Sequence, residues 1–174
     1  MKQNTKTKEM FIIRALEKIL KDKDVRRKDN VELKKACEAA LEEIKKELKD
    51  DEKNEETSSA LPLPKDNTEF NTNIAAEKYF EPFELACKCR SAKIIVTSLD
   101  CIQKLIAYGH LTGNVVDPKH EDKLLIDRIV ETICKCFIGE HTDENVQLQI
   151  IKALLTVVTS QQVEVHGSTI LLRH

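Results

Sequence analysis

Tryptophan is absent, and the 174 residues include only 4 glycines and 4 prolines. Sandwiches and barrels turn often and draw on glycine and proline at those turns, so the scarcity favours helices. Neither sign of charge dominates: 28 Lys and Arg stand against 30 Asp and Glu. That balance excludes the broad basic field that recruits nucleic acid or an anionic membrane. With 5 Phe and 2 Tyr, base-stacking platforms are excluded as well. Long apolar runs are missing: nothing approaches the roughly 18 residues of a spanning helix. Met10-Phe11-Ile12-Ile13 is broken by Arg14, so the N-terminus carries no signal-peptide core. Lys2 stands where myristoylation needs glycine, and no C-terminal prenylation box is present. Membrane association is therefore expected only indirectly, through a partner. Six cysteines without a secretory signal point to reduced thiols in the cytoplasm.

What is present is helical periodicity. The 41% hydrophobic content is enough for a buried core. Ile12, Leu16, Ile19 and Leu20 predict a first helix from about Thr7 to Asp22. The charged stretch from Lys23 to Asp29 reads as a connection, and Asn30 as the N-cap of a second helix. Leu33, Cys37, Leu41, Ile44 and Leu48 form its stripe, with Glu42, Glu43 and Lys46 on the solvated face. Residues 1–49 are thus expected to form a helical hairpin. From Asp50 the pattern stops, and Leu61-Pro62-Leu63-Pro64 forbids a helix. Residues 50–73 read as a flexible linker.

Residues 74–174 read as a helical-repeat segment. Pro82 is expected to start or kink a short helix with Phe83, Leu85, Ala86 and Cys87. Ser91 is expected to cap a strongly periodic one carrying Ile95, Val96, Leu99, Ile102, Leu105 and Ile106, which Gly109 stops. A polar loop is expected from Val115 to Glu121. A helix from about Asp122 to Phe137 follows, with Leu124, Leu125, Ile129, Ile133 and Cys136 on its face, and Gly139 ends it. Thr142 or Asp143 caps the last full helix, with Val146, Leu148, Ile151, Leu154, Leu155 and Val158. Val96, Leu99, Ile102 and Leu105 match Leu148, Ile151, Leu154 and Val157 at a shift of 52 residues. A helix pair recurring at about this length marks armadillo or HEAT stacking. The expected fold is all-α, with armadillo/HEAT-like stacked helix pairs in one domain. Thr169-Ile170-Leu171-Leu172 reads as the first turns of a further helix cut short by Arg173-His174. Truncation at the C-terminus and membership in a longer parent are expected.

No catalytic constellation is evident. Cys87-x-Cys89 and Cys134-x-Cys136 suggest zinc thiolates, but zinc pairs usually use wider spacings. Positions i and i+2 of a helix also point about 200° apart. Small buried hydrophobes are the expected role of Cys87, Cys101, Cys134 and Cys136. His110, His120, His141, His166 and His174 sit in expected loops or ends, without a partner at ligand or triad spacing. No glycine-rich phosphate loop exists, so no cofactor is expected. The run from Lys21 to Lys28 is interrupted by acids and reads as a solvated turn. Between the apolar positions of the 91–109 helix lie Gln103, Lys104 and Tyr108. Lys104 and Tyr108 are i, i+4 neighbours. Solenoids bind partners on the face made by the second helix of each pair, where an exposed tyrosine and lysine make suitable anchors. Packing of Tyr108 against the following loop is the alternative.

Phe11 to Leu20 resembles the start of the large, brefeldin-A-inhibited Arf guanine-nucleotide exchange factors. So do Glu77 to Cys87, Ser98 to Asn114, Leu125 to Ile129, and Gln147 to Ser160. The similarity covers nearly everything except the 50–73 linker and the last few residues. In that family the region is the N-terminal dimerisation and cyclophilin-binding (DCB) domain. The resemblance implies an armadillo-like, non-catalytic module of assembly and targeting, peripheral on Golgi and trans-Golgi network membranes. It implies contact with an Arf-like small GTPase in its GTP-bound form, and with the downstream homology domain or a second copy. Carried onto this chain, Lys104, Tyr108 and Gln103 become the candidate GTPase contacts. The family's exchange domain lies far downstream, so no nucleotide exchange is expected of these residues. A generic helical adaptor, or a cysteine-based metal-binding protein, are the competing readings.

Overall fold

Where apolar residues recur at i, i+3, i+4 and i+7, a helix buries one stripe and leaves the rest to solvent. The computed structural model describes residues 2–55 and 76–160, with side chains for 10–47 and 76–160. α1 (Lys2–Lys21) buries Ile12, Ala15, Leu16 and Ile19 in this spacing. α2 (Val31–Glu55) buries Leu33, Cys37, Ala40, Leu41 and Ile44. The two pack against each other.

Their connection is two short 3-10 turns, Lys23–Arg26 and Lys28–Asn30, with Val25 as an apolar plug. Asn30 does not cap α2 with an accepting oxygen. Its amide turns back and donates to the Asp24 carbonyl at 2.8 Å. α2 also runs through Asp50–Glu55, beyond the last apolar position in the sequence, where Glu and Lys have favourable helix propensity. The expected linker therefore overlaps α2 at its start. The rest of it, 56–73, and the expected turns at Thr169–Leu172 lie outside the described residues.

After a 3-10 turn (Ala76–Tyr79) comes α3 (Phe80–Cys87). Pro82 sits in its first turn, where the missing N–H costs nothing. α4 (Ala92–Ala107) begins after Ser91, whose side chain makes no capping hydrogen bond. Its C-terminus is closed by Gly109 at φ +66°, with the Gly109 N–H on the Ile106 carbonyl at 2.9 Å and the His110 N–H on Leu105 at 2.8 Å. This pair of reversed bonds needs a left-handed residue, which is why glycine stands there.

The expected polar loop is a β-hairpin instead. β1 (Val116–Asp117) pairs antiparallel with β2 (His120–Leu124) across Pro118 and Lys119. Asp117 Oδ1 accepts the Lys119 N–H at 3.0 Å, the side-chain-to-backbone bond of a tight turn. Consequently α5 (Leu125–Lys135) starts three residues later than Asp122 and ends two before Phe137. Its first N–H groups are met by backbone: Leu125 donates to Val115 at 2.9 Å and Ile126 to Gly113 at 3.0 Å. Gly113 is at φ +67°, and a Cβ there would come within 2.8 Å of Ile126 Cα.

Asp143 caps α6 (Glu144–Thr159), accepting from Asn145 N at 2.9 Å. Thr142 instead ties the preceding turn, accepting from Ile138 N at 2.9 Å.

α4 is the central rod, packed against α1, α3 and α6, while α5 packs on α3 and α6. One apolar cluster runs through all six helices. The fold is an all-α stack of helix pairs, as expected, with the small hairpin as an insertion. Of the residues aligned at a shift of 52, only Leu105 and Val157 are both buried, but the same shift holds at neighbouring positions. Ile94, Thr97, Ser98, Cys101 and Leu105 in α4 are buried, and so are Val146, Gln149, Ile150, Ala153 and Val157 in α6. α4 additionally buries Leu99, Ile102 and Ile106. Of their counterparts in α6, Ile151 and Val158 are exposed and Leu154 is only partly buried. Leu148, Ile151, Leu155 and Val158, expected on a core face, are between 52% and 64% exposed.

Candidate interaction surface

The three residues expected at a partner surface lie on the C-terminal half of α4 and at its end, each with a different degree of freedom. Lys104 pairs with Asp100 one turn earlier at 2.7 Å, and both side chains are largely exposed. Such a pair contributes little to stability, so the ammonium is free to change partners. Tyr108, at the end of α4, is 57% exposed. It does not pack into the following loop alone. Its ring stacks on Phe11 of α1, with centroids 5.3 Å apart, and faces His110 at 6.3 Å. Residues 97 positions apart in the chain thus fix its orientation. Gln103 is half-buried and donates from Nε2 to Thr156 Oγ1 of α6 at 3.1 Å. It ties the two helices together rather than offering its amide outward. A hollow of about 640 Å³ lies between the ends of α4 and α6, lined by Ile106, Tyr108, Gly109, Thr156 and Thr159.

The exposed seam of α6 was not anticipated. Leu148, Ile151, Leu155 and Val158 follow 3-4-3 spacing, the repeat with which one helix seats against another. The signal was present: apolar residues occur all round α6, wider than a one-sided stripe requires. Among the described residues no helix is long and apolar enough to cross a membrane.

The cysteines do not assemble into a site. All are free thiols. Cys87 Sγ donates to Ser98 Oγ at 3.4 Å, and Cys136 Sγ to the Thr132 carbonyl at 3.4 Å. Contact with Cys136 and then burial push the Cys87 thiol well up, and burial pushes Cys37 up to about 12. Thiols so held are poor nucleophiles. Among the described residues no three His, Cys, Asp or Glu side chains stand together as metal ligands.

A buried ionic cluster joins α3, the hairpin and α5. The Arg128 guanidinium binds Glu84 and, at 2.9 Å, Asp117. Glu84 also accepts from Lys88 at 2.9 Å and from Lys119 at 3.4 Å. Burial alone raises the Glu84 carboxyl, but the hydrogen bonds from Arg128 and Lys88 outweigh it and hold the group at about 2. The cluster fixes the hairpin against the stack.

Stacked helix pairs with an exposed apolar seam on α6 are the features to set beside known families. Residues 6–172 match the Mon2/Sec7/BIG1-like dimerisation and cyclophilin-binding domain, and the chain belongs to that family. It is 57% identical over 98% of its length to brefeldin A-inhibited guanine nucleotide-exchange protein 1 of Homo sapiens, of which it covers 9%. It is 32% identical over 91% of its length to brefeldin A-inhibited guanine nucleotide-exchange protein 2 of Arabidopsis thaliana, and covers 9% of that protein. With the Arf guanine nucleotide-exchange factor SEC7 of Saccharomyces cerevisiae it shares 27% identity over 97% of its length, and 8% of the relative is covered. The chain thus spans about a tenth of these relatives. The matched residues are those of the DCB domain.

Proposed function

We propose that the chain is a non-catalytic assembly and targeting module of a large Arf exchange factor, acting peripherally on trans-Golgi membranes. It binds a GTP-loaded Arf-like GTPase through the end of α4. Tyr108 is the anchor and Lys104 the charged contact. Gln103, engaged with Thr156, positions α4 on α6. The observation that carries this reading is Tyr108, a large aromatic ring left exposed yet stacked on Phe11. Pre-ordered aromatics of this kind dominate interfaces because little entropy remains to be lost on binding. The α6 seam, in turn, receives the downstream homology domain of the same factor or a second copy.

Pull-down with an Arf-like GTPase loaded with a GTP analogue or GDP tests the first part, on this chain and on a version extended at its C-terminus. Capture only in the GTP form, reduced at least about tenfold by Tyr108→Ala, is expected. Equal capture of both forms, or capture indifferent to Tyr108→Ala and Lys104→Glu, makes the chain an adaptor for other clients.

A further inference from the structure

At the end of the stack away from Tyr108, the α3–α4 turn, the hairpin, α5 and the start of α6 enclose a cavity of about 830 Å³. Lys88, Arg90, Lys119, Lys123, Arg128 and Lys135 line it, against the carboxylates of Glu84, Glu131 and Asp143. The chain as a whole is at −2, so positive charge is concentrated here. Most of these cations already hold a carboxylate. Glu84 serves Arg128, Lys88 and Lys119, Glu81 adds a second contact to Lys119, and Glu131 holds Lys135. Asp143 is occupied in capping α6. Arg90 and Lys123, both exposed, have no ion pair among the described residues. The start of α4, which also borders the cavity, has no acidic residue in its first turn and no side-chain cap at Ser91. Between the charges lies an apolar floor of Ala92, Ile95 and Val146, with Ile138 three-quarters exposed at its edge.

We infer that this cavity is a docking site for an acidic peptide segment carrying large apolar side chains. A single phosphate calls for donors converging on one point. Here the cations are spread over the α3–α4 turn, the hairpin and α5, which suits carboxylates spaced along a chain. A lipid surface presents its headgroups in a plane, whereas these cations surround a hollow. The apolar floor seats the anchor side chains, and Arg90 and Lys123 take the flanking carboxylates. The site is separate from the α4 surface and independent of any GTPase.

The test is fluorescence anisotropy on the full chain with a labelled peptide of glutamates interrupted by two leucines. Binding is expected to fall at least about tenfold with Arg90→Glu plus Lys123→Glu. It should weaken several-fold when serine replaces the leucines, and be unmoved by Lys104→Glu. Both reversed side chains are exposed, and circular dichroism verifies the variant's helix content. Binding that is indifferent to the double reversal, or equally lost with Lys104→Glu, overturns the inference. So does equal binding of a peptide with lysine in place of glutamate. Capture of phosphatidylserine vesicles without capture of the peptide assigns the cations to a membrane instead.

Discussion

α4 and α6 are both 16 residues long and share one burial register, yet they have different surroundings. α4 packs against α1, α3 and α6, whereas α6, among the described residues, packs against α4 and α5 and keeps an exposed apolar seam. The face that α4 closes with Leu99, Ile102 and Ile106 corresponds to one that α6 leaves exposed at Ile151 and Val158 and only partly buries at Leu154. Stacking each repeat on the last creates a fresh apolar face for the next, and the difference between two like helices is one of position in the array.

The sharpest way to break this comparison is to truncate aligned residues. Leu99→Ala leaves a cavity in a closed core and should cost about 2–5 kcal/mol. Ile151→Ala, its counterpart, should stay within about 0.5 kcal/mol, because its side chain already meets solvent. Urea midpoints at unchanged slope distinguish the two. Equal losses would mean that α6 is covered after all.

Next in size is the ionic anchor that α4 and α6 both lack. The Glu84 carboxyl is held at about 2, below its ordinary 4.5, so its contribution is present above about 4.5 and lost as pH falls toward 2. Part of the cluster is open to water through Lys88 and Lys119, which limits the effect to about 1–2 kcal/mol. Glu84→Gln should lower neutral stability by that amount and flatten the acid side of the stability profile. An acid limb unchanged by the substitution would place the titrating carboxylate elsewhere.

Smaller again is the tie between the helices themselves. Gln103→Ala removes the bond to Thr156 and should cost about 0.5–1.5 kcal/mol. Thermal melts of the Gln103→Ala, Thr156→Ala and doubly substituted chains form a cycle, and the double variant should lose less than the singles added together. The smallest stability change is expected from Leu155→Ser on the open seam, within about 0.5 kcal/mol. Its effect belongs to association: co-purification of this chain with the downstream homology domain should drop while the melting temperature stays put.

How legible the fold was depended on what makes each element. α1, α2, α4 and α5 are helices because a one-sided apolar stripe demands it, and Leu16, Leu41, Ile102 and Ile129 announce those stripes. The hairpin was hidden. His120-Glu121-Asp122-Lys123 carries no alternation, and β2 exists because Asp117 and Arg128 pin its turn and the Val115 and Gly113 carbonyls receive the start of α5. The α2 extension was hidden for the opposite reason, since charged residues sustain a helix with no core to report. At the surface, Lys104 and Tyr108 were legible from spacing, while the brace from Phe11 and the tie through Gln103 are tertiary contacts that one helix's sequence does not contain.

Without tryptophan, the chain's near-ultraviolet emission rests on two rings. Tyr79 is buried, with its hydroxyl donating to Glu47 Oε2 at 2.6 Å, and dissolved iodide has no path to it. Tyr108 stands open at the end of α4. The fraction of light that iodide extinguishes therefore comes from one place, and whatever settles on that place dims the extinguishing. The molecule carries its own lamp at the surface where a partner is expected.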